Sequence, residues 1–137
     1  SCAEALSRKQ TMAVGNTVSY SGDNPAFSLE AARLEMSSYG KGDIREPFIE
    51  LIHADGGFSS DFLYDGYEIR KGRDELATLP CSYGSEDEVE QLKIILKDKN
   101  YRLTLEMYYY VYKDCDVICR SCRLINESET DVNIDEL

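Results

Sequence analysis

From Tyr101 to Tyr112 the chain runs as one unbroken two-residue alternation, YRLTLEMYYYVY, and no other stretch constrains the fold as strongly. Successive side chains of an extended strand point to opposite faces. Tyr101, Leu103, Leu105, Met107, Tyr109 and Val111 therefore share one face. Arg102, Thr104, Glu106, Tyr108, Tyr110 and Tyr112 share the other. On the N-terminal side Leu92, Ile94 and Leu96 alternate with Lys93 and Lys97 and lead into the turn Asp98-Lys99-Asn100. On the C-terminal side Lys113-Asp114 turns the chain again, Val117 to Ile125 forms a further strand, and Val132 to Leu137 starts another. Consecutive strands joined by tight turns make a meander, and meanders belong to sandwiches or barrels. The expected fold is an all-β, antiparallel β-sandwich.

The period is also two from Ile44 onward, with Phe48, Glu50 and Ile52 on one face and Ile49, Leu51 and His53 on the other. Asp55-Gly56-Gly57 is a hairpin signal. The returning strand is expected over Phe58 to Arg70, with a bulge or bend at Gly66. Lys71 to Asp87 reads as a loop long enough to be functional or to form an interface. Residues 1–26 lack a period and are expected to be an irregular arm or partial strand, leaving 27–137 as the β domain. Asn24-Pro25 resembles a helix start, and Ser28 to Met36 is expected to form a short helical turn.

Charge narrows the function. A formal net charge of −11 repels phosphate backbones and anionic lipid surfaces, which disfavours nucleic-acid and membrane partners. No apolar run approaches the roughly 20 residues of a membrane span. Five cysteines without framework spacing point to free thiols in a reducing, cytoplasmic setting.

Candidate chemistry is sparse. Cys119-Arg120-Ser121-Cys122 is a CxxC, with Cys115 upstream. On a strand, residues three apart face opposite ways, and Cys115 and Cys119 stand about 13 Å apart. One zinc needs each thiolate about 2.3 Å away. The cysteines are therefore expected to be packing residues, with no metal and no cofactor. His53 is the only histidine, so any Ser-His or Cys-His site would have to use it. Its mid-strand place predicts a solvent-facing side chain instead. Glu86-Asp87-Glu88 and the run from Asp131 to Glu136 could supply a glycosidase carboxylate pair, but loop and terminal charge runs are ordinarily solvated. The Gly40–Gly42 loop lacks phosphate-loop spacing. Tyr108, Tyr110 and Tyr112 stand about 7 Å apart on one face. They could pack within the domain, form a domain interface, or stack sugar rings as a free-standing carbohydrate-binding module.

Several strings, in order, resemble glycoside hydrolase family 36 α-galactosidases. They are Phe27-Ser28-Leu29-Glu30, then Tyr39-Gly40-Lys41-Gly42-Asp43-Ile44-Arg45-Glu46-Pro47, then Leu79-Pro80-Cys81-Ser82-Tyr83-Gly84, Glu90 to Ile94, and Asp116 to Leu124. The family motif for the second reads Tyr-Gly-x-x-Asp-Phe-Arg-x-Pro. The resemblance implies an N-terminal sandwich of the supersandwich type, incomplete upstream of Ser1. It also implies that the catalytic (β/α)₈ barrel, which follows this sandwich in the family, lies outside these 137 residues. It implies a non-catalytic domain that packs on that barrel, in a homo-oligomeric, retaining enzyme acting on terminal α-galactosides such as melibiose or raffinose. Thr and Val usually stand in the family where Cys119 and Cys122 are found here. An Asp and an Arg that reach a neighbouring subunit's site in tetrameric members have no counterpart; Pro25 occupies the Arg position. No catalytic or substrate-binding residue carries over.

Overall fold

The computed structural model describes residues 35–39, 47–74 and 81–136. Six strands follow in order: β1 (Glu50–His53), β2 (Leu63–Lys71), β3 (Val89–Asp98), β4 (Leu103–Tyr112), β5 (Val117–Asn126) and β6 (Val132–Glu136). No helix lies among the described residues. β2-β3-β4-β5 form a four-stranded antiparallel sheet, and β1 and β6 form a second sheet of two. The arm over 1–26 lies outside the described residues. So does the helical turn over Ser28 to Met36, except for a bend at Glu35 and Met36.

The alternation in β4 does what its pattern demands. Leu103, Leu105 and Met107 are buried facing the smaller sheet, where they meet Ile49, Leu51, Leu96, Phe62 and Met36. Ile94, Tyr109, Cys122, Leu124 and Val132 pack around this cluster. Two antiparallel layers with their apolar faces together make the fold an all-β sandwich. The register β3–β4 runs without a break from Val89↔Tyr112 to Asp98↔Leu103, and β4–β5 from Leu103↔Asn126 to Tyr112↔Val117.

Turn chemistry explains the meander. The Asp98 side chain is buried and accepts from the Asn100 and Tyr101 backbones at 2.8 and 3.2 Å. Its other oxygen accepts from the Asp61 backbone at 2.7 Å, tying the chain that enters β2 to this corner. Both meander turns end on a left-handed residue, Arg102 (φ 53) and Asp116 (φ 51). The bulge expected at Gly66 is present, as the β2–β3 register shifts between Tyr64 and Gly66.

Two expectations are corrected. The Asp55-Gly56-Gly57 turn forms, closed by Gly56 N–H to His53 O at 2.9 Å and His53 N–H to Gly57 O at 2.9 Å. It does not make a hairpin. The chain leaves it for the other sheet, so β1 pairs with β6 and β2 with β3. A four-residue β1 offers β2 little ladder, whereas the ten-residue β3 matches its whole length. The second correction concerns His53, which is 3% exposed and points inward with Ile49 and Leu51.

Candidate functional site

The outer face of the large sheet carries the three tyrosines. β3 supplies Val89, Gln91 and Lys93 opposite Tyr112, Tyr110 and Tyr108, and β5 supplies Val117, Cys119 and Ser121. The tyrosines do not stand as an open ladder. Tyr108 and Tyr110 stack at 6.2 Å with 10° between their planes and are 8% and 2% exposed. Val89, Tyr112 and Cys119 complete this second apolar cluster. A sugar ring needs an exposed aromatic face, and neither buried ring presents one.

The segment between β2 and β3 closes this face. Gly72, at φ +78, turns the chain out of β2. The Arg73 guanidinium then lies 4.7 Å over the Tyr110 ring. The same guanidinium donates to the Ser82 carbonyl and, at 2.6 Å, to Ser82 Oγ. Tyr112 donates to that Ser82 hydroxyl. Gln91, buried beside Tyr110, accepts from the Asp74 backbone at 2.9 Å and donates to its carboxylate at 3.1 Å. Gly84 passes so near that a Cβ there would sit 2.3 Å from Val89 Cγ2 and 3.0 Å from Tyr112 Cε1. Arg73 was not singled out from the sequence, and Ser82, Gly84 and Gln91 stood only within strings that carry the family resemblance, with no packing role read for them.

Each tyrosine hydroxyl finds a partner, as buried phenols require. Tyr108 donates to Glu106 at 2.7 Å, and Tyr110 shares a 3.3 Å bond with Ser121. Burial, helped by the Glu106 carboxylate, pushes Tyr108 up to about 12. Glu106 in turn lies 3.8 Å from Lys93 and 3.9 Å from Arg123.

His53 forms a separate cluster at the opposite end of the sandwich. Its ring stacks on Tyr101 at 3.4 Å and 5°, and its Nε2 meets Ser60 Oγ at 2.9 Å. Tyr101 donates to Asp55 at 3.1 Å, and Asp55 also accepts from the Gly57 backbone at 2.8 Å. The Gly57 bond foremost holds the Asp55 carboxyl below its ordinary range. Although serine, histidine and aspartate are neighbours here, His53 Nδ1 has no hydrogen-bond partner. The aspartate therefore does not orient the imidazole, as a nucleophilic triad requires.

The cysteines separate as strand geometry demands. Cys119 packs with the tyrosine cluster and Cys122 with the inter-sheet core, on opposite faces of β5. Burial raises the Cys122 thiol. Cys115 is exposed in the β4–β5 turn. Among the described residues no group of His, Cys, Asp and Glu is placed to hold a metal ion, and no helix is long and apolar enough to cross a membrane. Glu88 of the acidic trio is occupied locally, accepting from the Ser85 backbone and hydroxyl at 2.8 and 2.9 Å.

A sandwich whose polar residues serve its own turns and loops invites comparison with known domains. The sequence profile of the glycosyl hydrolase family 36 N-terminal domain matches residues 4–137. The chain belongs to this family. It is 34% identical over 115 residues to the bifunctional alpha-galactosidase/sucrose kinase AgaSK of Mediterraneibacter gnavus, covering 84% of this chain and 12% of that protein. It is 30% identical over 112 residues to alpha-galactosidase 1 of Pediococcus pentosaceus, covering 81% and 15%. The crystal structure of the family 36 alpha-galactosidase AgaA from Geobacillus stearothermophilus superposes with a TM-score of 0.83 at 29% identity, over 98% of this chain and 18% of that one. This family 36 domain thus spans less than a fifth of the length of these relatives, in which it sits with a catalytic domain.

Proposed function

We propose that the chain is the non-catalytic N-terminal β-sandwich of an α-galactosidase, which packs on a (β/α)₈ catalytic barrel and supports oligomerisation. The parent enzyme would hydrolyse terminal α-galactosides, such as melibiose or raffinose, with retention. The observation that carries this reading is the family match along residues 4–137, in a chain covering only 12% and 15% of two α-galactosidase relatives. A variant of the Geobacillus enzyme in complex with raffinose, which superposes with a TM-score of 0.83, supports the substrate class. We place the contact with the barrel on the face of Tyr108, Tyr110 and Tyr112. It would be reached through the loop that closes the face, where Tyr83 is 89% exposed. Free thiols at Cys81, Cys115, Cys119 and Cys122 support a reducing, cytoplasmic location.

Two assays test the reading. The purified chain should not turn over nitrophenyl α-galactoside. Grafted in place of the matching segment of the Geobacillus enzyme, it should support raffinose hydrolysis. Turnover by the chain alone that is lost on mutating its own carboxylates would overturn the non-catalytic role. A graft that folds but leaves the barrel inactive would count against the domain assignment.

A further inference from the structure

Away from the tyrosine face, the His53 end of the sandwich carries a crevice of about 110 Å³. Three elements meet there. β1 ends at His53, which pairs with Val132 at the start of β6. The β3–β4 turn brings Asn100, Tyr101 and Arg102, and the β5–β6 loop brings Ser128 and Thr130. The chain's own bonds fix these walls. Glu127 donates its backbone N–H to the Arg102 carbonyl at 3.0 Å. The Asn126 amide donates to the Thr130 carbonyl at 2.8 Å, and its oxygen accepts from the Ser128 backbone at 3.0 Å and the Ser128 hydroxyl at 2.7 Å. Walls held in advance lose little freedom when a ligand enters. Three groups of the lining are not engaged by the fold. Arg102 stands at φ 53, a left-handed backbone that suits glycine, and its guanidinium has no partner among the described residues. Non-glycine residues held in that region cluster at ligand clamps and other functional sites. The Asn100 side-chain amide likewise has no partner among the described residues. Buried side-chain polar atoms are ordinarily hydrogen-bonded, and an exception asks for a partner from outside the chain. Among the described residues that exception is Nδ1 of His53, whose ring is anchored through Nε2 and lines this crevice.

The lining selects the ligand. Aromatic rings and the apolar Val132, set beside an amide, a guanidinium and two hydroxyls, suit a molecule that has both a C–H face and hydroxyl groups. An anion is disfavoured, because the chain carries −11 and Glu127, Glu129 and Asp131 alternate with Ser128 and Thr130 along the loop. The volume admits one ring rather than a chain of them, since sites that enclose drug-sized ligands span about 300–1,000 Å³. We propose that this crevice binds a single neutral sugar unit, as galactose or as the terminal galactosyl group of an oligosaccharide. Arg102 and Asn100 donate to its hydroxyls, beside the stacked rings of Tyr101 and His53. The choice of galactose rests on the α-galactosidase reading above; the site itself rests on the crevice.

Nuclear magnetic resonance of the ¹⁵N-labelled chain, titrated with galactose, raffinose or inorganic phosphate, tests the site. His53 is the only histidine, so its ring nitrogens give one unambiguous pair of signals. Galactose should move the His53 Nδ1 signal and the Asn100 and Arg102 side-chain signals, and the shifts should saturate. Raffinose doing the same shows that a terminal galactosyl group suffices; raffinose without effect assigns the site to the free sugar. Phosphate should move none of them. Arg102→Gly suits φ 53, so the turn is kept while the guanidinium is removed. It should weaken galactose binding by about tenfold, the share of one charge-assisted hydrogen bond. Asp116→Gly, at the other meander turn with φ 51, should leave binding unchanged, and thermal melts confirm that both variants are folded. No shifts with either sugar, shifts that spare His53, Asn100 and Arg102, or shifts produced by phosphate instead would overturn the site. The grafted enzyme described above gives a separate readout. An active graft beside a chain that binds no sugar overturns the site alone. Sugar binding beside an inactive graft keeps the site and counts against the α-galactosidase reading.

Discussion

Substituting Gly84 by alanine tests whether the β2–β3 loop is packed down on the tyrosine face. The added methyl would stand 2.3 Å from Val89 Cγ2 and 3.0 Å from Tyr112 Cε1. Val89 is completely buried, so its methyl has nowhere to retreat without displacing the stacked tyrosines. Overpacking of this kind costs about 1–3 kcal/mol. Gly84 does not have a positive φ, so alanine suits its backbone, and the stiffer unfolded chain offsets about 0.4–1 kcal/mol. The net loss is roughly 0–2.6 kcal/mol, about 1.3 at mid-range. With a urea m-value of about 2 kcal/mol/M, that mid-range loss lowers the unfolding midpoint by roughly 0.7 M. Tyrosine fluorescence or circular dichroism follows the transition. Adding Val89→Ala supplies the decisive control. That change alone opens a cavity and destabilises, but combined with Gly84→Ala it makes room for the new methyl. The double variant should therefore be more stable than the sum of the two losses predicts, by on the order of 1 kcal/mol. An unchanged or raised midpoint for Gly84→Ala, or strict additivity in the cycle, would refute the claim that the loop is seated on Tyr112 and Val89.

Two further predictions follow from the same geometry. Tyr108 is pushed up to about 12 by burial and by its bond to Glu106, so its native value exceeds the unfolded value of 10.0. The stability it contributes is complete below pH 10 and is lost as pH rises toward 12. Tyr108→Phe should flatten that alkaline loss in denaturation curves taken across this window, and an unaltered slope would show that another group is responsible. The paired change Cys119→Thr with Cys122→Val should cost less than about 1.5 kcal/mol, since both substitutes suit a strand and nearly preserve volume. A chelator should leave the melting temperature of the parent chain where it was; stoichiometric zinc in purified protein would contradict the packing role.

The alternation from Tyr101 to Tyr112 was sufficient to establish β4 and to sort its side chains into two faces, because period two is a local property of an extended backbone. The same holds for the meander turns, where the Asp98 side chain caps its own corner, and for the bulge at Gly66. The opposite facing of Cys119 and Cys122 follows from strand geometry alone. Pairing across the sandwich was not legible. Asp55-Gly56-Gly57 specifies a reversal of the chain, and that reversal forms, but a turn does not dictate which ladder its flanks join. That choice rests on strand lengths and on which apolar faces can meet, and here it sent β1 to β6 and β2 to β3. His53 reads as a solvent-facing strand residue until the smaller sheet is laid over Tyr101, whose ring buries it. The tyrosine face was visible as a row of rings, but only the tertiary structure decided whether it was open. Arg73, Ser82 and Gly84 close it from a loop that has no periodicity, so no local pattern announced that they pack there. They act through contacts with residues distant in sequence, which only the folded chain brings together.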